Sequence, residues 1–171
     1  MKNQLFTIAL GVLIISGCYA QNKYSEGISK ANGERFQITY TWPDKDLMVI
    51  SNVKNKYEKG GPGSDNPNAL PMRREDIHFD VPAAKAIIQQ VLKPKYENLH
   101  KNEDFVHVDL IFESSGELSD ITFGVMKNTL VSLEDLAEID ARLRNTLSAT
   151  YTGREFKDHK IFIYNLGSTF F

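Results

Sequence analysis

Cysteine is almost absent: Cys18 is the single thiol of the 171-residue chain, so the remainder has no disulfide framework and no thiolate metal site. A basic surplus is missing too. Twenty Lys and Arg face 22 Asp and Glu, for a net charge of −2, and Arg73-Arg74 reads as a solvated basic pair in a loop. That balance does not suit a nucleic-acid binder, which needs a basic face. Gly60–Asn68 is rich in Gly, Pro and Asn but contains no Gly-Lys-Ser/Thr, which excludes a phosphate-binding loop. Ser114-Ser115-Gly116 is a turn and not the Gly-x-Ser-x-Gly elbow of a hydrolase. No cofactor is implied.

Long apolar runs are also lacking. The longest is Leu5 to Ile15, about eleven residues where a spanning helix needs about 20. Lys2 is the only charge through Ala20, and Ser16-Gly17-Cys18 closes the run with small residues. Positive start, short apolar core and small-residue end make an export signal. Ile15-Ser16-Gly17-Cys18 resembles a bacterial lipobox, which would make Cys18 an acylated first residue after removal of 1–17. The alternative is a cut after Ala20, before Gln21. Acylation adds about 0.8 kcal/mol of membrane affinity per buried CH₂, so two or three chains anchor stably. The expected organisation is then a signal over 1–17, a polar tether over 18–30 and one domain over 31–171. The expected location is the periplasm or outer membrane.

Within that domain, Phe36, Ile38, Tyr40 and Trp42 alternate with polar residues, the period of a half-buried strand. Trp42 reads as a core or hairpin-end aromatic. Pro43–Asp46 is a turn, and Leu47–Val53 a second strand. Residues 55–72 form an irregular loop, a place where a binding surface could live. Asp80 caps a helix over 82–93 with Pro82 in its first turn; Pro94 ends or kinks it, and Tyr96–His100 adds a turn. Phe105–Glu113 and Leu118–Met126 alternate around Gly116 as a hairpin. Ser132 and Asp135 form a capping box before Leu136, Ile139, Leu143 and Leu147 at helical spacing. Lys160–Leu166 is the last strand. The order ββ-loop-α-ββ-α-β predicts an α+β fold, an antiparallel sheet with two helices packed on one face.

Val106-x-Val108-x-Leu110-x-Phe112, Gly116 and Asp120-Ile121-x-Phe123-x-Val125 resemble the TonB C-terminal domain family over about residues 83–171. The resemblance implies a fold. Ala149-Thr150-Tyr151-Thr152-Gly153 stands where that family places Trp-x-Pro-Ala, so its energy coupling does not carry over. With its lipobox the chain also resembles small secreted lipoproteins of Bacteroidetes-type bacteria.

Two function classes follow. The leading expectation is a non-catalytic envelope protein, membrane-bound through a lipid on Cys18, that binds a protein or peptide partner. The route is strand addition at a sheet edge, with Lys160, Phe162 and Tyr164 as contact candidates. Phe170 and Phe171 either pack back or join the contact. The alternative is a small periplasmic metal-binding protein or hydrolase. His107 and Asp109 lie two apart on the outer face of a strand, and Asp158-His159 opens the last strand. Glu113 and Glu117 flank the hairpin turn as a carboxylate pair.

Overall fold

The computed structural model describes residues 24–41, 46–57, 66, 69–70, 72–153 and 155–171. The expected export signal, Cys18, Trp42 and most of the 60–68 stretch lie outside the described residues. The strands are β1 (Gly27–Ala31), β2 (Glu34–Tyr40), β3 (Leu47–Asn52), β4 (Ile77–His78), β5 (Phe105–Glu113), β6 (Leu118–Met126), β7 (Thr150–Tyr151) and β8 (Ile161–Phe170). The helices are α1 (Val81–Leu92), α2 (Tyr96–Lys101) and α3 (Leu133–Thr146).

Six strands form one antiparallel sheet in the order β1-β2-β3-β6-β5-β8, and β4 pairs with β7 in a separate two-stranded ribbon. The fold is α+β, as the order of elements predicts. β5 shows why the sheet has two unlike faces. Val106, Val108, Leu110 and Phe112 are fully buried, while His107, Asp109 and Ile111 between them are only half-buried. The buried phase continues through Ile38, Ile50, Phe123 and Tyr164 and meets Ile88, Leu92, Leu136, Ile139 and Leu143 of α1 and α3 in one core. No helix among the described residues is long and apolar enough to cross a membrane.

The helices begin where their caps stand. Asp80 accepts the Ala83 N–H at 2.8 Å, and Ser132 and Asp135 exchange hydrogen bonds as a full capping box. Lys95 then reaches Asp135 at 2.5 Å and ties the end of α1 to the start of α3.

Three local expectations need correction, and a fourth, the turn after Pro94, is filled out. The tether expected over 18–30 contains β1, which is closed onto β2 by Asn32-Gly33 with φ of 49° and 82°. That is the favoured two-residue hairpin turn, with both central residues left-handed. Residues 94–100 are helical: a 3-10 turn at Lys93–Lys95 absorbs Pro94 and α2 follows. The ribbon of β4 and β7 was absent from the expected order, because two-residue strands carry no periodicity. Lastly, β8 runs four residues past Leu166, since Gly167 carries it through a bulge that leaves Leu166 unpaired against β5. Beyond the bulge Phe171 is buried and Phe170 is 73% exposed, so the two terminal aromatics divide between core and surface.

Gly116 is the tightest point of the β5–β6 hairpin. Its φ is +90°, and a Cβ there would lie 2.2 Å from the Ala149 carbonyl oxygen. The same turn accepts the Ala149 N–H at 2.8 Å, so it is also the seat of the chain leaving α3. Gly116→Ala therefore combines backbone strain with a clash against backbone. It is expected to lower stability by about 2 kcal/mol or more, read as a lower urea midpoint at unchanged slope.

Candidate functional site

The helices cover one face of the sheet, and the strand register organises the other into ranks. Gln37, Ser51, Thr122, Asp109 and Asn165 stand directly opposite one another across five strands. The adjacent rank is Thr39, Val49, Gly124, His107 and Ser168. Apolar groups flank this polar band. Phe105 meets Phe170 with ring centroids 5.8 Å apart at one end, and Ile111 stands opposite Ile163 at the other.

His107 is the most connected group of the band. Its Nδ1 lies 3.1 Å from Ser168 Oγ, its Nε2 is 3.0 Å from the Asn165 amide and 3.5 Å from Asp109 Oδ1. Gly124 opposite provides the room: a Cβ there would press to 3.3 Å from the His107 Cβ. The expected pairing of His107 and Asp109 is present, but His159 is not with them. Its Nε2 bonds the Leu70 carbonyl at 2.8 Å and its ring neighbours Phe162 at 5.9 Å, at the opposite end of β8 from Ser168. Among the described residues no three His, Cys, Asp or Glu converge on a common point. The strand direction separates them: about nine positions at about 3.3 Å each lie between residues 159 and 168. The carboxylates at the hairpin also part company, for Glu113 is bound by Lys56 at 2.7 Å and by the Tyr57 hydroxyl at 3.4 Å.

The edge strand is the second feature of the site. β8 pairs with β5 alone among the described strands. The Ser114 N–H donates to the Lys160 carbonyl at 3.0 Å, which fixes the phase of the ladder. Antiparallel pairs alternate between bonded and non-bonded, so Phe162 and Tyr164 turn their backbone groups to β5. Ile161, Ile163 and Asn165 turn theirs outward. Past the bulge the Phe171 N–H bonds the Asp104 carbonyl at 3.2 Å, and the same alternation points Ser168 and Phe170 outward. The side chains follow a different division. Phe162 and Tyr164, expected as contacts, are buried at 2% and 8%, whereas Ile163 is 66% exposed. Lys160 at the start of the strand is exposed. The alternation of Ile161–Leu166 carries this division, with Phe162 and Tyr164 in its inward phase.

A cation sits over this edge. The Arg74 guanidinium lies 4.5 Å from the centroid of the Tyr164 ring. Arg74 belongs to a 3-10 turn, Arg74–Asp76, whose two carboxylates are held by its neighbour: Arg73 reaches Asp76 at 2.8 Å and Glu75 at 3.7 Å. Asp76 also accepts the Thr152 hydroxyl at 3.0 Å, and the Thr152 N–H donates to the Asp76 carbonyl at 3.0 Å. These bonds clamp the turn onto the chain leaving β7. The Arg73 hydrogen bond, then the Thr152 hydroxyl and the nearby positive charges, outweigh desolvation and hold the Asp76 carboxyl below its usual value.

The arrangement defines a class: a half-covered antiparallel sheet with a polar open face and one long, accessible edge. No protein-family model matches the sequence, and no curated protein matches it. Among solved structures, a DUF5043 family protein from Bacteroides uniformis is similar, with a TM-score of 0.67 at 13% identity over 88% of this chain and 88% of that one. At that identity the likeness is one of fold. The neighbour is a Bacteroidetes protein, and no likeness to a TonB domain is shown.

The Asp76 clamp has a pH signature. A carboxyl whose folded pKa is depressed stabilises fully above its unfolded value, about 4, and loses that contribution as pH falls through the folded value. Asp76→Asn is expected to melt below the parent at neutral pH and to converge with it as pH approaches about 2, measured by thermal denaturation across that range.

Proposed function

We propose that the protein is a non-catalytic component of the bacterial cell envelope, exported by its first residues and lipid-anchored through Cys18, that holds a protein or peptide partner by strand addition to β8. One observation carries the reading. β8 is a ten-residue edge strand, and from Ile161 to Phe171 it has neither a charge nor a proline. Natural edges are normally blunted by short length, lysine or proline, because an open row of N–H and C=O groups invites another strand. The opposite edge follows that custom: β1 has five residues and carries an exposed lysine, Lys30. The unguarded edge is the one suited to use. Main-chain hydrogen bonds supply affinity in this mode, and the side chains at alternate positions select the partner.

The outward phase of Ile163 makes the test clean. Ile163→Pro removes a backbone N–H that faces away from β5, a position where proline is tolerated in an edge strand. It is expected to abolish capture of an envelope partner in a pull-down while leaving the far-UV circular dichroism spectrum nearly unchanged. Loss of the spectrum would place the strand in the interior of a larger sheet and defeat the reading.

The anchor is tested separately. Cys18→Ser is expected to move the protein from the membrane fraction to the soluble envelope fraction and to end incorporation of labelled fatty acid. Unchanged membrane association would exclude lipidation at that thiol and favour the cut after Ala20.

A further inference from the structure

Strand addition at β8 leaves open what the added segment looks like, and Arg74 answers part of that question. Tyr164 is an inward-facing residue of the edge strand, so its ring forms the border of the helix-side layer at the edge. Phe79 packs edge-on against one side of that ring, with centroids 4.7 Å apart, and the Arg74 guanidinium lies over the ring at 4.5 Å. Arg74 is exposed, and no ion pair joins it to a carboxylate among the described residues. The acids nearest in sequence, Glu75 and Asp76, are both taken by Arg73. A stacked guanidinium is held flat, with its donor edge free for planar contact with a carboxylate.

The register places an incoming side chain beside it. Tyr164 forms a bonded pair with Leu110, so against a strand added antiparallel on the far side it makes a non-bonded pair. Cα atoms in such pairs are about 4.5 Å apart and the side chains are close. The residue opposite Tyr164 therefore projects to the same face as the Tyr164 ring and the guanidinium above it. Its two neighbours project to the other face, beside Ile163 and Asn165.

Resting on the strand-addition reading, we infer that β8 selects an extended segment bearing an acidic side chain opposite Tyr164, whose carboxylate pairs with the stacked Arg74. The position opposite Ile163 takes an aliphatic side chain, and the position opposite Asn165 takes a hydrogen-bonding one. Ile161–Phe170 carries no charged side chain, and Arg74 is the cation that stands over the Tyr164 ring.

Two synthetic ten-residue peptides of the same alternating Thr/Val sequence, one with a central Glu and one with Gln, test the inference on the full exported chain. Binding is read by fluorescence anisotropy and by hydrogen exchange at the Ile163 and Asn165 amides. The Glu peptide is expected to bind about three- to tenfold more tightly at low salt, with the preference shrinking as salt rises. Arg74→Gln should erase the preference and leave the Gln peptide's affinity in place, while Arg74→Lys should keep part of it. Near-ultraviolet circular dichroism of each variant confirms that the Tyr164 environment is intact. Equal affinities for the two peptides, both lost in Ile163→Pro, would overturn the acidic selection and leave strand addition standing. A preference that survives in Arg74→Gln would assign it elsewhere and overturn the role of Arg74. If neither peptide binds or slows exchange at those amides, strand addition fails and the inference fails with it.

Discussion

The contact on which the edge of this molecule depends is the packing of Phe79 between Phe112 and Tyr164. Phe79 packs on Phe112 at 5.0 Å and edge-on against Tyr164 at 4.7 Å, so one ring bridges β5 and β8 from the helix side. Such pairs add about 0.5–1.5 kcal/mol each beyond the area they bury. The consequence is positional as much as energetic. Asp80 follows at once and caps α1, so the same ring that covers Tyr164 also sets where the helix starts. On the other side of Phe79, the chain from Arg74 to His78 is held along the edge, pinned by Asp76 and by the β4–β7 pair. Tyr164 is thereby buried on an edge strand, where a core-facing aromatic would otherwise be half in water.

The chain after β3 needs a comparable anchor, because it crosses the end of the sheet. Polar side chains do that work there. The buried Asp120 carboxylate accepts the Lys56 and Tyr57 N–H groups at 2.8 and 2.6 Å. Arg144 of α3 pairs with buried Asp140 at 3.0 Å, donates to Asn55 at 2.7 Å and to the Ser119 carbonyl, while Asn52 donates to Asp140 at 3.4 Å. A buried pair of this kind contributes little net stability over an apolar one, but removing one partner costs about 3–5 kcal/mol. Its use is to satisfy backbone and amide groups at a crossing that apolar side chains would leave unbonded.

Much of this was legible in the residues, and the failures have particular causes. The alternation of Phe105–Glu113 is strict, because one face is core and the other is open, so strand and phase were both readable. The capping box at Ser132 announced α3 for a similarly local reason. β1 was missed although Asn32-Gly33 is a strong hairpin signal, since Gly27–Ala31 is short and lies at an edge where polarity mimics a tether. Gly167 hid the extension of β8, for a bulge interrupts the period that marks a strand. Arg74 read as a solvated loop charge because its partner, Tyr164, is ninety residues away in sequence and no local pattern couples them. The histidines failed in the opposite sense: Asp158-His159 opens the strand that lies beside His107, but antiparallel direction sends them to opposite ends.

The two edges of the sheet show that the exposure of β8 is not a general carelessness of the fold. β1 is short, has Lys30 on its outer face and ends in a tight turn, so it offers little to a passing strand. Asn32 further ties that turn to the Glu134 carbonyl at the start of α3. β8 has twice the length and a row of outward backbone groups at Ile163, Asn165, Ser168 and Phe170. Its bulge lies toward the Phe170 end and leaves the Ile161–Asn165 half regular. That regular half is the one bordered by Tyr164 and Arg74. A fold that needed only to avoid self-association would place its charge within the strand. Here the charge stands beside the strand, over the Tyr164 ring.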